Sequence, residues 1–107
     1  MAFQVQEFAI EAIGQLRPIA SRIARQDRSL ASQLRRAASS VALNIAEANG
    51  SDPGNRRARL HSALGSARET RVALEVAVAW GYVAQRSTDS AEAILDRVCR
   101  MLHSLAW

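Results

Sequence analysis

The sequence predicts an all-α protein, an antiparallel up-down-up-down four-helix bundle. Apolar residues recur at helical spacing through four separate segments, and no run alternates with the period of two expected of a half-buried strand. Proline occurs only at Pro18 and Pro53. Short connections between long helices favour antiparallel neighbours. At 107 residues the chain predicts one domain over 1–107, large enough for a core and small enough to gain from association.

The first helix is expected from about Phe3 to Ala24, with Phe8, Ala12, Ile13, Leu16, Ile19, Ala20 and Ile23 on one face. Pro18 falls inside it and is expected to kink it, because proline removes a hydrogen bond to the preceding turn. After Arg25-Gln26-Asp27-Arg28-Ser29, with Asp27 or Ser29 as cap, a second helix is expected from about Leu30 to Ala48. Its stripe is Leu34, Ala38, Val41 and Ile45. Its other side carries paired arginines, two serines, Asn44 and Glu47 among small alanines, a composition suited to a second neighbour rather than to bulk water.

Asn49 to Asn55 is the clearest loop, in which Asp52-Pro53 fits an N-cap and first helical position, with Asn55 as the alternative cap. The third helix is expected from about Arg56 to Trp80 with Leu60, Leu64, Ala67, Leu74 and Val78 in the core, ended by Gly81 in the left-handed conformation. At ~100° per residue, Ala58, Gly65, Val72 and Val76 fall on a second sector roughly 140° from the first. Self-association explains that second stripe most simply; a wider buried sector within one monomer is the alternative. The fourth helix is expected from about Ser90 to Leu105, burying Ile94, Leu95, Val98, Leu102 and Leu105.

Net charge is +4, and all 14 basic residues are arginine. Arginine presents a planar fork of donors suited to phosphates and carboxylates, although genomic base composition also accounts for missing lysine. Cys99 is the only cysteine, so no internal disulfide forms and a reducing compartment is expected. Glu7 and Glu11 interrupt any leader-like segment, and no run approaches the ~18 apolar residues of a membrane span. A cytoplasmic protein is expected, without membrane contact.

Gln33-Leu34-Arg35-Arg36-Ala37-Ala38, Asn44-Ile45-Ala46-Glu47, Gly65-Ser66 with Glu69, and Trp80-Gly81-Tyr82 stand in this order. Together they resemble a bacterial four-helix-bundle family. It includes proteins encoded in intervening sequences of 23S ribosomal RNA genes, also called S23 ribosomal proteins, and the accessory variability determinant of diversity-generating retroelements. The resemblance is dense from about Leu30 to Val83. It implies an antiparallel bundle assembled into a homopentameric ring. In the retroelement branch it implies a basic surface that meets a reverse transcriptase and nucleic acid; in the rRNA branch RNA binding is the presumed role. Ala48-Asn49-Gly50 departs from the usual glycine directly after the Asn-Ile-Ala-Glu motif, and arginine stands in the loop region where relatives often have lysine. These departures leave the branch open.

Arg56, Arg57 and Arg59 form the sharpest basic cluster, at a helix start where the dipole disfavours exposed cations by ~0.3–1 kcal/mol each. Phosphate contact is the use that suggests itself, with Arg35, Arg36 and Arg68 extending the surface; a solvated helix end is the competing reading. Arg71 lies near the apolar stripe and needs a partner, for which Glu75 or Glu47 is the candidate. Asn44 and Glu47, with Ser66 and Glu69 opposite and Gly65 alongside, are expected to form a polar network between helices or subunits that sets register. A catalytic carboxylate pair is the sharper alternative for these acids.

No glutamate has a histidine three residues later, as a ferritin-like di-metal bundle requires, so no metal or cofactor is expected. Cys99 and His103 share a face at i, i+4, but without a third orienting group burial is preferred to catalysis. Trp80 and Tyr82 frame the Gly81 turn, with packing at the bundle end preferred to base stacking.

The expected function is a non-enzymatic homo-oligomer that binds RNA or another nucleic acid as an accessory or ribosome-associated factor. The alternative is a protein-interaction scaffold, such as a reverse-transcriptase accessory subunit, whose arginines serve inter-subunit and partner contacts.

Overall fold

The computed structural model of the chain describes residues 2–107, with side chains from Gln4 onward. Four helices account for nearly all of it: α1 (Ala2–Ala24), α2 (Arg28–Asn49), α3 (Pro53–Ala79) and α4 (Asp89–Ala106), with a 3-10 turn over Gln85–Thr88 before α4. Among the described residues there is no strand. The helices pack as a rod of 42 × 22 × 19 Å, in which α2 and α3 share the most extensive contact and each helix meets its two neighbours around the ring. Among the described residues, no helix is long and apolar enough to cross a membrane.

The core shows why the order is up-down-up-down. One apolar layer joins Leu16, Ile19 and Ile23 from late α1 to Leu30 and Leu34 from early α2, Leu74 and Ala77 from late α3, and Ala91 and Leu95 from early α4. The other joins Val5 and Ala9 from early α1 to Val41 and Ile45 from late α2, Leu60 and Leu64 from early α3, and Val98 and Leu102 from late α4. Successive helices therefore run in opposite directions. Leu34, Ala38, Val41 and Ile45 are all buried, as the α2 stripe predicts, and the α1 stripe extends further toward its N-terminus through Val5 and Ala9.

Capping chemistry sets the helix ends. Asp27, rather than Ser29, caps α2: the Leu30 N–H donates to Asp27 Oδ1 at 2.9 Å. Asp52 caps α3, accepting from the Asn55 N–H at 3.0 Å on Oδ1 and from Asn55 Nδ2 at 2.9 Å on Oδ2. Asn55 is therefore a donor to the cap and not the cap itself. Those bonds hold the Asp52 carboxyl below its usual range. Helix α3 begins at Pro53, where the missing N–H costs nothing, so it starts three residues before the expected Arg56 and the loop is correspondingly shorter. Helix α1 continues through Pro18 as one helix.

At the far end of α3, Gly81 adopts φ 78°, the sole positive φ among the described residues. Its N–H donates to Val78 O and that of Tyr82 to Ala77 O, both at 2.9 Å. This paired 6→1 and 5→2 closure is the Schellman arrangement expected of glycine after a helix. It turns the chain toward α4.

Candidate nucleic-acid interface

The outer side of α2 forms one wall of an open groove of about 510 Å³, lined by Arg35, Arg36, Ser39, Ser40, Leu43, Asn44, Glu47 and, from α3, Arg59. Helical geometry explains the lining: residues 36, 40, 43 and 47 recur at i, i+4, i+7 and i+11, so they stack along a single face. Arg35 and Arg36 are exposed, and among the described residues neither forms an ion pair. Arg59 Nε reaches Glu47 Oε2 at 3.0 Å, with both side chains about half exposed. A pair of that exposure is worth ~0.2–1 kcal/mol, so it positions Arg59 without locking it. Leu43 stands 65% exposed in the same groove, an apolar contact amid the charge.

Beside the groove runs a polar seam between α2 and α3. Asn44 Nδ2 donates to Ser40 O at 2.9 Å and to Ser40 Oγ at 3.0 Å, and Ser66 Oγ donates to Ser40 Oγ at 2.9 Å. Thr70, fully buried, donates to Ser66 O at 2.7 Å. Asn44 and Ser66 are thus joined, but through Ser40, which the sequence motifs did not single out. Glu47 belongs to Arg59 and not to this seam. Glu69 lines an adjoining cleft with Gln33, Arg36, Ala37, Ser40 and Ser66.

The arginines of α3 divide between two faces. Because α3 starts at Pro53, Arg56 closes the first turn and Arg57 and Arg59 fall in the second, where the dipole fades; the electrostatic strain expected at a helix start is correspondingly smaller. Arg57 and Arg68 are exposed and eleven positions apart, hence on one face. Arg68 lies one turn before Arg71, whose guanidinium meets Glu92 and Asp96 of α4, so that face lies on the α4 side. Of the expected cluster, only Arg59 joins Arg35 and Arg36 in the groove.

Arg71 also turns to α4. Its Nη1 lies 3.3 Å from Asp96 Oδ1 and its Nε 3.5 Å from Glu92 Oε1, so neither Glu75 nor Glu47 is its partner. Position 71 lies on the α3 flank facing α4, whereas Glu47 belongs to α2. Burial pulls the Arg71 pKa down, but the thiol, Glu92 and Asp96 more than offset it. Glu92 Oε1 is buried without a hydrogen bond, and burial raises the Glu92 pKa despite Arg71. Arg71 is an intramolecular clamp between α3 and α4.

The Cys99 thiol is pushed up by burial, with Arg71 and Arg68 opposing. The His103 ring stacks on Trp107 at 4.9 Å, and His61 meets the same indole at 3.9 Å. Among the described residues, no group of three or more His, Cys, Asp or Glu is placed to hold a metal ion.

The second stripe of α3 lies open. Ala58 and Gly65 are exposed, Val72 is 55% exposed, and Val76 is partly covered. The wider buried sector considered as its alternative is therefore not what this chain builds. At the opposite end from Trp107, Tyr82 packs onto the α1–α2 turn while Trp80 stays in solvent.

Three comparisons bear on this arrangement. The family model described as 23S rRNA-intervening sequence protein matches residues 4–104. A solved structure of a protein with unknown function from the S23 ribosomal protein family, from Bacteroides thetaiotaomicron VPI-5482, superposes with a TM-score of 0.87 at 20% identity. The match covers 95% of this chain and 97% of that one, and at this identity it speaks for the fold. No curated protein matches the chain.

Proposed function

The chain belongs to the 23S rRNA-intervening sequence protein family, and from that premise we propose that it is a non-enzymatic RNA-binding bundle whose α2 groove contacts the phosphate backbone. The observation that carries this is the convergence of Arg35, Arg36 and Arg59 on one open groove, two of them without a carboxylate partner among the described residues. Guanidinium forks on a helix ridge suit phosphate oxygens and carry no base information by themselves. Arg56, Arg57 and Arg68 add positive field on neighbouring faces and serve as secondary contacts.

Self-assembly is the second part of the proposal. The Ala58–Gly65–Val72 stripe is apolar, small-sided and uncovered, and nothing lies within 4 Å of where a Gly65 Cβ would stand. A second copy of the chain fits such a face, and the resemblance suggests five copies in a ring. The same surfaces serve the scaffold reading, in which a reverse transcriptase or other protein meets the arginines.

The test is binding to structured ribosomal RNA fragments at low salt. The wild-type chain binds, and Arg35→Ala/Arg36→Ala weakens binding markedly while retaining helicity. No RNA binding at low salt excludes the proposal and favours the scaffold.

A further inference from the structure

At the end of the bundle where α3 stops, an indole projects into water. Trp80 is 69% exposed. Beside it the Tyr82 ring lies 6.4 Å away at an interplanar angle of 18°, and the Tyr82 hydroxyl, donating to Asp27 Oδ2 at 3.1 Å, holds that ring. The Gly81 closure fixes the spacing between the two rings. An exposed indole with a half-buried tyrosine beside it thus rests on this turn, the tyrosine pinned to the α1–α2 connection.

Four arginines stand at this end, and among the described residues none of them forms an ion pair. Arg25 and Arg28 flank Asp27, and both are exposed. Arg22 shares a small cleft with Val83 and Ser87, just past Tyr82, and Arg86 is exposed in the 3-10 turn. Asp27 is occupied on both oxygens, by the Leu30 N–H and the Tyr82 hydroxyl. Glu75, Asp89 and Glu92 are the other acids at this end, Glu92 being paired with Arg71. Arg28 and Arg35, seven positions apart, lie on one face of α2 about 10 Å apart along its axis. Exposed arginines of α2 therefore lead from the turn beside Tyr82 to the groove.

Single-stranded nucleic acid uses both elements, stacking a base on the aromatic face and setting phosphates against arginines. A duplex keeps its base faces covered by stacking. We propose that Trp80 and Tyr82 form a stacking platform for an unpaired RNA base, a contact separate from the α2 groove. The proposal rests on the RNA-binding reading and names the form of RNA bound.

The test uses the full chain with Trp107→Phe, which leaves Trp80 as the single indole. It is titrated with a short oligoadenylate and with duplex RNA of equal length, following Trp80 fluorescence and gel-shift affinity together. The expected result is saturable quenching by the single strand and not by the duplex. In wild-type Trp107, Trp80→Ala lowers single-strand affinity about tenfold or more, Trp80→Phe lowers it less, and the salt slope is unchanged because no charge is lost. Gel-shift binding without quenching, or equal affinity for Trp80→Ala, overturns the platform and leaves the groove standing. Quenching that follows protein concentration without RNA also overturns it, since a second copy then covers the indole. Absence of all RNA binding overturns both proposals.

Discussion

Glu47 governs how much of the groove's positive charge is free. It is the single carboxylate among the groove-lining residues, and it holds Arg59 at 3.0 Å. A phosphate entering the groove competes with that carboxylate for the same guanidinium. Glu47→Gln should therefore tighten RNA binding by about 1.5- to 5-fold, the range an exposed ion pair of ~0.2–1 kcal/mol allows. Arg59→Ala alone should change affinity little, yet cancel the gain when combined with Glu47→Gln; a filter-binding double-mutant cycle measures this. Equal gains from Glu11→Gln, on exposed α1 surface, would reduce the effect to net charge. At this scale the sequence was informative about residue type and poor about pairing. Arg35, Arg36, Asn44 and Glu47 all line the groove, but the partner of Arg71 and the bridging role of Ser40 depend on how two helices are set against each other. Periodicity within one helix carries no information about that setting.

Helix boundaries show the same division between local and non-local information. Asp27 and Asp52 are legible caps because N-capping is a short-range bond between a side chain and an N–H three residues on. Sequence alone puts the start of α3 too late, because Gly54 and Asn55 read as loop residues. Pro53 at the first helical position and the Asp52–Asn55 bonds keep them helical instead. Gly81 was legible for the reason that makes it indispensable: φ 78° is a conformation that favours glycine. Gly81→Ala should cost about 1–2 kcal/mol, read as a lower denaturation midpoint with an unchanged m-value. It should also disturb the Trp80–Tyr82 geometry, since both rings hang on this turn. A midpoint equal to wild type would mean that the α3 end relaxes freely.

The whole molecule presents two surfaces that its own core does not use, the α2 groove and the outer stripe of α3. Four helices burying most of their apolar stripes are what the sequence periodicity leads one to expect, with Phe8, Ile13, Val78, Ile94 and Leu105 half-buried at the stripe edges. The uncovered Val72 face follows from the same wheel. An association state does not, because one chain's pattern marks a face as unpartnered without counting its partners. Val72→Asp should convert a wild-type oligomer toward monomer in light scattering with helicity retained, whereas a wild-type chain that stays monomeric at all concentrations contradicts assembly through this face. RNA contact through the α2 groove is measured most directly by the salt dependence of affinity. Each groove arginine that neutralises a phosphate contributes roughly 0.7–0.9 to the slope of log K against log salt. Arg35→Ala/Arg36→Ala should therefore lower the slope by about 1.4–1.8, while Arg57→Ala/Arg68→Ala, on the α4 side, should lower it less. Equal slopes for wild type and the Arg35→Ala/Arg36→Ala variant would contradict the account.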